Sequence, residues 1–218
     1  MKRRFYFWAL LAIFLSSLFF ASYCVYQIYL SQNQVEASLN EWEEQKDLSH
    51  QVASTPSIGN EEPITAAVAS TEFNNEVAQP LYSTPPEKGE VFGKIIIPKI
   101  KKEFPLIQGS DQEELAKGVG HYFGSVLPGE PDNTVLAGHR DTVFKELAKV
   151  GVGDLVTIET KAGTFTYQIS EQRIVDKNDR TVIVPYDYAA MTLITCYPFD
   201  FVGPAPDRYI LVGKLVEN

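Results

Sequence analysis

The sequence predicts an all-β domain, a closed or nearly closed β-barrel or a sandwich, behind one N-terminal helix. Three observations carry this. From about Gly89 onward, short apolar runs rich in Val, Ile, Thr, Tyr and Phe recur with Gly, Pro, Asn and Asp between them. Helical patterns in that region are few and short, which favours a barrel or sandwich over a helix-covered sheet. The first thirty residues are of another kind, a long uncharged apolar run behind a basic cluster.

That run comes first in the chain. Lys2, Arg3 and Arg4 precede it, and no charge occurs from Phe5 to Tyr29. A bilayer core of ~30 Å is crossed by about 20 apolar residues in a helix. The basic cluster marks the cytoplasmic end and places the remainder outside. A cleaved signal peptide has a core of only about 7–15 residues, so residues 1–30 are expected to be a retained single-pass transmembrane anchor. A lipoprotein-type cleavage before Cys24 wants a small preceding residue, and Tyr23 is large.

Residues 31–88 differ from both neighbours. "VEASLNEWEEQKDL" is compatible with a short polar helix leading away from the membrane. The continuation is dominated by Ser, Thr, Ala, Pro, Asn and Glu without a lasting period. Such a composition buries too little apolar surface to offset chain entropy, so 31–88 reads as a flexible acidic stalk. Between 31 and 90 there are eleven acidic side chains against Lys46 and Lys88, a difference of nine that equals the whole chain's net charge of -9. The acidity therefore belongs to the stalk, and it argues against a nucleic-acid partner.

About 130 residues, 89–218, remain for one core. "VFGKIIIPKI" and "FPLIQG" read as the first strands. "DQEELAKG" reads as a short helix with Asp111 as N-cap and Gly118 as stop. "NTVLAGH" is a buried strand, and "DTVFKELAKVGVGD" a helical turn ending at Gly151 and Gly153. "DLVTIET" and "TFTYQISEQRIV" alternate and are joined through Lys161-Ala162-Gly163. "MTLITCYP" and "RYILVGKLV" complete the set.

The chain has two cysteines, and Cys24 falls in the apolar run. On an exported domain, Cys196 then has no intrachain partner, which leaves a reactive thiol or an intermolecular link. Thiol catalysis needs a thiolate, an imidazole to exchange protons and a donor for the oxyanion. His139 ends "NTVLAGH", Cys196 ends "MTLITC" and Arg208 opens "RYILVGKLV". If the last two strands pair antiparallel, the end of one faces the start of the other. Cys196 and Arg208 then share one rim, and His139 on another strand end can join them. Gly138 leaves room there for substrate or for another backbone. One Cys and one or two His residues without close spacing fall short of a zinc set, and there is no phosphate-binding glycine loop. No metal and no cofactor are expected.

With these residues in place, "LAGHRD", "TLITCYPF" and "RYIL" together resemble the signature of the sortases, membrane-anchored cysteine transpeptidases. Their Thr-Leu-x-Thr-Cys motif is similar to Thr192-Leu193-Ile194-Thr195-Cys196 here, and the resemblance runs from about Gly89 to Val216. It implies an eight-stranded closed barrel. It implies Cys196 as nucleophile, His139 as general acid/base and Arg208 as stabiliser of substrate and oxyanion. Thr195, Ile194 and Tyr197 would contact substrate, with His121 and Asp141 as supporting residues. The implied partners are secreted proteins bearing an LPxTG-like sorting signal and a peptidoglycan-precursor amine. The single N-terminal anchor, "CYPF" and the compact 176–191 connection resemble class D, whose preference is similar to LPNTA. "STPPEKGE" contains no Asp-Pro lid of the pilin-polymerising kind, and no second span is expected after the barrel. A class A or E sortase, a hydrolytic cysteine protease of this type, a pilin-polymerising sortase and a non-catalytic surface module stand as alternatives.

Overall fold

The computed structural model describes residues 2–53, 80–201 and 203–217. Strand-forming sequence becomes barrel wall through period-two burial. Ile95 and Ile97 are wholly buried while the alternate residues Lys94 and Ile96 are half-buried, as expected of a strand with one face on a core. The strands are β1 (Val91–Ile97), β2 (Lys102–Gln108), β3 (Val119–His121), β4 (Asp132–Ala137), β5 (Leu155–Thr160), β6 (Gly163–Asp176), β7 (Ala189–Tyr197) and β8 (Asp207–Glu217). They close in the order β1-β2-β3-β4-β7-β8-β6-β5. Because β5 pairs with β1, no long sheet edge is left unpaired. This decides between barrel and sandwich. Ile95, Leu106, Leu136, Ile158, Tyr167, Leu193 and Leu211 are among the side chains filling the interior.

The strand missed by sequence patterning is β3. It has three residues, "VGH", flanked by Gly118 and broken by Gly120, so it shows no alternation. It exists because α2 (Gln112–Lys117) returns the chain parallel to β2, where Leu106 registers with Val119. Gly118 does stop α2, but for a reason other than a left-handed cap. Its φ is 170°, ordinary extended backbone, and a Cβ there would meet the Pro105 carbonyl oxygen at 2.6 Å. Asp111 makes no side-chain cap and pairs with Lys88 instead. The helical turn expected over 141–154 is a series of turns with a 3₁₀ segment at Leu147–Lys149.

The strands that matter for function are β4 and β7, which lie parallel, Leu136 opposite Leu193 and Ala137 opposite Ile194. Their central residues are buried on successive positions, so both faces are covered. The core covers one face. Val182, on the connection from β6 to β7, packs with Ile210 and Val212 on the other, with Ile194 against them.

The N-terminal region is a single helix, α1 (Lys2–Ala53). The polar helix that "VEASLNEWEEQKDL" allows is present, since residues 31–53 continue α1; the rest of the expected stalk, 54–79, lies outside the described residues. "EWEEQK" is made largely of good helix formers, and composition averaging hid one docking residue. Trp42 is 1% exposed and packs on Val91 and Ile107 of the barrel. Lys46 reaches Glu159 at 2.9 Å beside it. Among the described residues no helix is long and apolar enough to cross a membrane.

His121 on β3 is a structural element of this wall. It is 1% exposed, with Nδ1 at 2.7 Å from Gln108 Oε1 and Nε2 at 2.9 Å from the Val126 carbonyl. Burial pushes the ring below its ordinary 6.5, against a smaller opposite effect of the Val126 bond. Below that ordinary value the unfolded chain takes up a proton that the folded barrel refuses. Stability contributed by neutral His121 is therefore present above pH 6.5 and is lost as pH falls toward the lower folded value. Urea unfolding between pH 7.5 and 5 should show this component, at most about 1.4 kcal/mol per pH unit. The wild-type slope should exceed that of His121→Gln; equal slopes would contradict the assignment.

Candidate active site

Cys196 is the penultimate residue of β7. Thr195 and Tyr197 turn toward the barrel interior, while Ile194 and Cys196 occupy the other face. The thiol is partly exposed and unbonded to another cysteine. β7 and β8 pair antiparallel, as the strand ends led one to expect, and Cys196 lies directly opposite Arg208. A cross-strand pair on one face brings Cβ atoms within about 4.5–5.5 Å, so the thiol and the cation share one rim. The Arg208 guanidinium is half-buried and donates from Nη1 to Asp207 O (2.9 Å) and Ala205 O (3.3 Å). These bonds fix the head of a long side chain, and the charge is permanent.

His139 reaches the same rim from β4. The residue before it is tied to β7 twice: the Gly138 N–H donates to Ile194 O (3.1 Å) and Thr195 Oγ1 donates to Gly138 O (2.7 Å). The imidazole-bearing residue therefore leaves the sheet level with the cysteine. Its own carbonyl accepts from Phe144 N at 3.0 Å, which sets the turn that follows. His139 is half-buried.

Gly138 does leave room, and the room is filled by neither substrate nor backbone. A Cβ would sit 2.6 Å from Phe144 Cδ2 and 2.7 Å from Val143 Cγ2, both on buried side chains. Gly138→Ala should push Phe144 out or shift His139, costing about 1–3 kcal/mol in stability. A thermal melt together with a turnover assay checks this, and an alanine variant with unchanged melting and turnover would refute it.

The residues expected to contact substrate divide. Ile194 lies on the Cys196 face, packed against Val182 and Ile210. Thr195 is corrected to a tie: it is 2% exposed and its hydroxyl is committed to Gly138. Thr192 is its counterpart lower on the strand, donating to Asn133 Oδ1 (2.8 Å), while Asn133 Nδ2 donates to Val184 O (3.0 Å). Both threonines of the Thr-Leu-Ile-Thr-Cys run therefore bind β7 to β4. Tyr197 is half-buried among aromatic rings. Its ring stands 6.3 Å from that of Tyr209 and 5.8 Å from that of Phe199. Burial, and to a lesser degree Tyr197, push the Tyr209 phenol upward, so it remains a neutral donor to Val150 O at 3.2 Å. His121 bonds to Gln108, Ser125 and Val126, in the wall. Asp141 is 75% exposed and faces Arg140 Nε at 3.5 Å.

Arg140 is the residue that sequence reading passed over. A cation next to a candidate histidine looks like surface charge, yet this one is 7% exposed and donates to two carbonyls of the β7–β8 loop. Nothing in "GHRD" signals that partner, because the loop is about sixty residues away in sequence.

A closed barrel with a free thiol at its rim, opposite an arginine and level with a histidine, defines a scaffold for thiol acyl chemistry. Comparison with known proteins agrees. The profile of the Sortase domain matches residues 95–216. Sortase D of Bacillus subtilis (strain 168) is 42% identical over 149 residues, covering 68% of this chain and 75% of that protein. Sortase A of Bacillus anthracis is 26% identical over 134 residues, 60% of this chain and 62% of that one. The solved structure of a Clostridium perfringens Sortase D5 transpeptidase superposes with a TM-score of 0.54 at 32% identity, covering 60% of this chain and 82% of that one. Sortase C1 of Streptococcus agalactiae gives 0.54 at 31%, over 58% and 67%. The chain belongs to the sortase family and is a cysteine transpeptidase.

Proposed function

We propose that this transpeptidase cleaves an LPxTG-like sorting signal after its threonine and joins the protein to a cell-wall amine, with LPNTA as the first sequence to test. The observation that carries the reading is the register of Cys196 with Arg208, together with the Thr195–Gly138 tie that brings His139 level with them. The Cys196 sulfur attacks the threonine carbonyl carbon, and Arg208 stabilises the oxyanion through its remaining N–H groups. As the tetrahedral adduct collapses, the C–N bond breaks and His139 gives the departing amine its proton. A second amine then attacks the thioester carbonyl, gives a proton to His139 and expels the thiolate. The β4–β7 face, with Ile194 and the β6–β7 connection carrying Val182 beside it, supplies an apolar wall for the signal.

The same reading places the barrel outside the cell, held by the first part of α1. Leu10, Phe14, Leu18 and Phe20 are each more than half exposed, and consecutive positions 13–15 and 18–20 all present apolar side chains outward. A helix apolar all round needs a lipid or protein surround. Lys2, Arg3 and Arg4 orient it with the N-terminus inward. Trp42 then docks the barrel close above the anchor.

The test is a ligation assay with LPNTA and LPxTG peptides and a peptidoglycan-type amine, read by mass. Amine-dependent ligated product supports the proposal. Cleavage whose product is the free acid regardless of amine would replace it with a hydrolase.

A further inference from the structure

We infer that Arg140 is a positioning residue that clamps the β7–β8 loop, residues 198–206, onto the turn carrying His139; this rests on the reading of Cys196, His139 and Arg208 as the site. The loop follows Cys196 by one residue and ends one residue before Asp207 and Arg208, so its path fixes where the two strand ends stand. It contains Pro198, Pro204 and Pro206, which lack N–H donors and cannot build a ladder. Backbone N–H groups reach the loop at Pro198 O (from Phe201, 3.4 Å) and Pro206 O (from Lys177, 3.0 Å), and Arg140 adds a bridge between its two arms. Nη1 donates to Pro198 O at 2.8 Å and Nη2 to Gly203 O at 3.0 Å, so one planar fork spans both ends of the bend. Phe201 covers the guanidinium, its ring centroid 5.9 Å from Cζ, and Asp141 faces Nε. Arg208 is fastened to the same loop through Ala205 O.

The other side of the clamp is firm. Val143 and Phe144 are buried in the core, and the Phe144 N–H donates to His139 O at 3.0 Å. Arg140 thus joins a rigid turn to a loop with little structure of its own. Lysine cannot replace it, because a single ammonium does not span two carbonyls in fixed directions.

The experiment uses the full chain with Arg140→Lys and Arg140→Gln. The lysine variant keeps a cation and a long stem, so it stays folded even if glutamine does not. With a sorting-signal peptide and amine, kcat of the lysine variant is expected to fall by about a hundredfold, as for a small misplacement of reacting groups, while KM for the peptide stays within about threefold because the signal binds along β4 and β7. Hydrogen exchange is expected to quicken at 199–203 and not in β7. The pH profile of Cys196 alkylation by iodoacetamide is expected to change shape. Wild-type kcat in a folded lysine variant, or unchanged exchange at 199–203, would overturn the inference. If the wild-type chain ligates no peptide, the functional reading has failed; exchange and alkylation, which need no peptide, then still decide the clamp.

Discussion

Cys196→Ala should abolish both ligation and hydrolysis of the sorting peptide. Losing the nucleophile of an enzyme whose groups act as a unit costs on the order of 10⁶-fold in kcat, which here means activity below detection. The structure explains why no other group substitutes. Cys24, the second cysteine, lies in the apolar first part of α1. Thr195 next to Cys196 has its hydroxyl held by Gly138 and is buried. The variant should fold normally, since the side chain is only partly buried at a strand end and alanine leaves the β7–β8 register intact. Quenched wild-type reactions should contain a thioester-linked species absent from the variant. Normal ligation by Cys196→Ala would sink the proposed function entirely.

The second large effect is expected at Arg208. Removing one oxyanion donor costs about 10²–10³-fold in kcat, and Arg208→Ala should fall in that range. Arg208→Lys should recover little of it. The guanidinium is fixed by two carbonyls through one nitrogen, which aims its other N–H groups; an ammonium has no such fixed fork. The split between kcat and KM separates the roles. A lysine variant with normal kcat and raised KM would show that Arg208 only binds substrate. Normal values of both would remove it from the site.

Much of the barrel was legible in the chain. "DLVTIET" and "TFTYQISEQRIV" alternate, and "VFGKIII" and "RYILVGKLV" are short runs rich in β-branched and aromatic residues, so all four are read as strands without tertiary help. Their ends placed the three site residues at strand termini. Where reading failed, the decisive contact was remote or the element too short. β3 has no pattern of its own and exists by pairing with β2. The polar helix after residue 31 was readable, but its docking on the barrel through Trp42 was not, because Val91 and Ile107 are remote in sequence. Thr195 resembles a substrate contact until its hydroxyl is found on Gly138.

The all-β character of 89–218, the separate apolar run at the N-terminus and the candidate set of Cys196, His139 and Arg208 can all be read from the residues alone. These are local properties, carried by periodicity, charge and the chemistry of single residues. Closure into a barrel, the parallel alignment of β4 with β7 that brings His139 level with Cys196, and the partners of Arg140 emerge only from contacts in the folded chain. Those depend on register between segments about sixty residues apart, and register is set by how whole faces pack, which no single segment records.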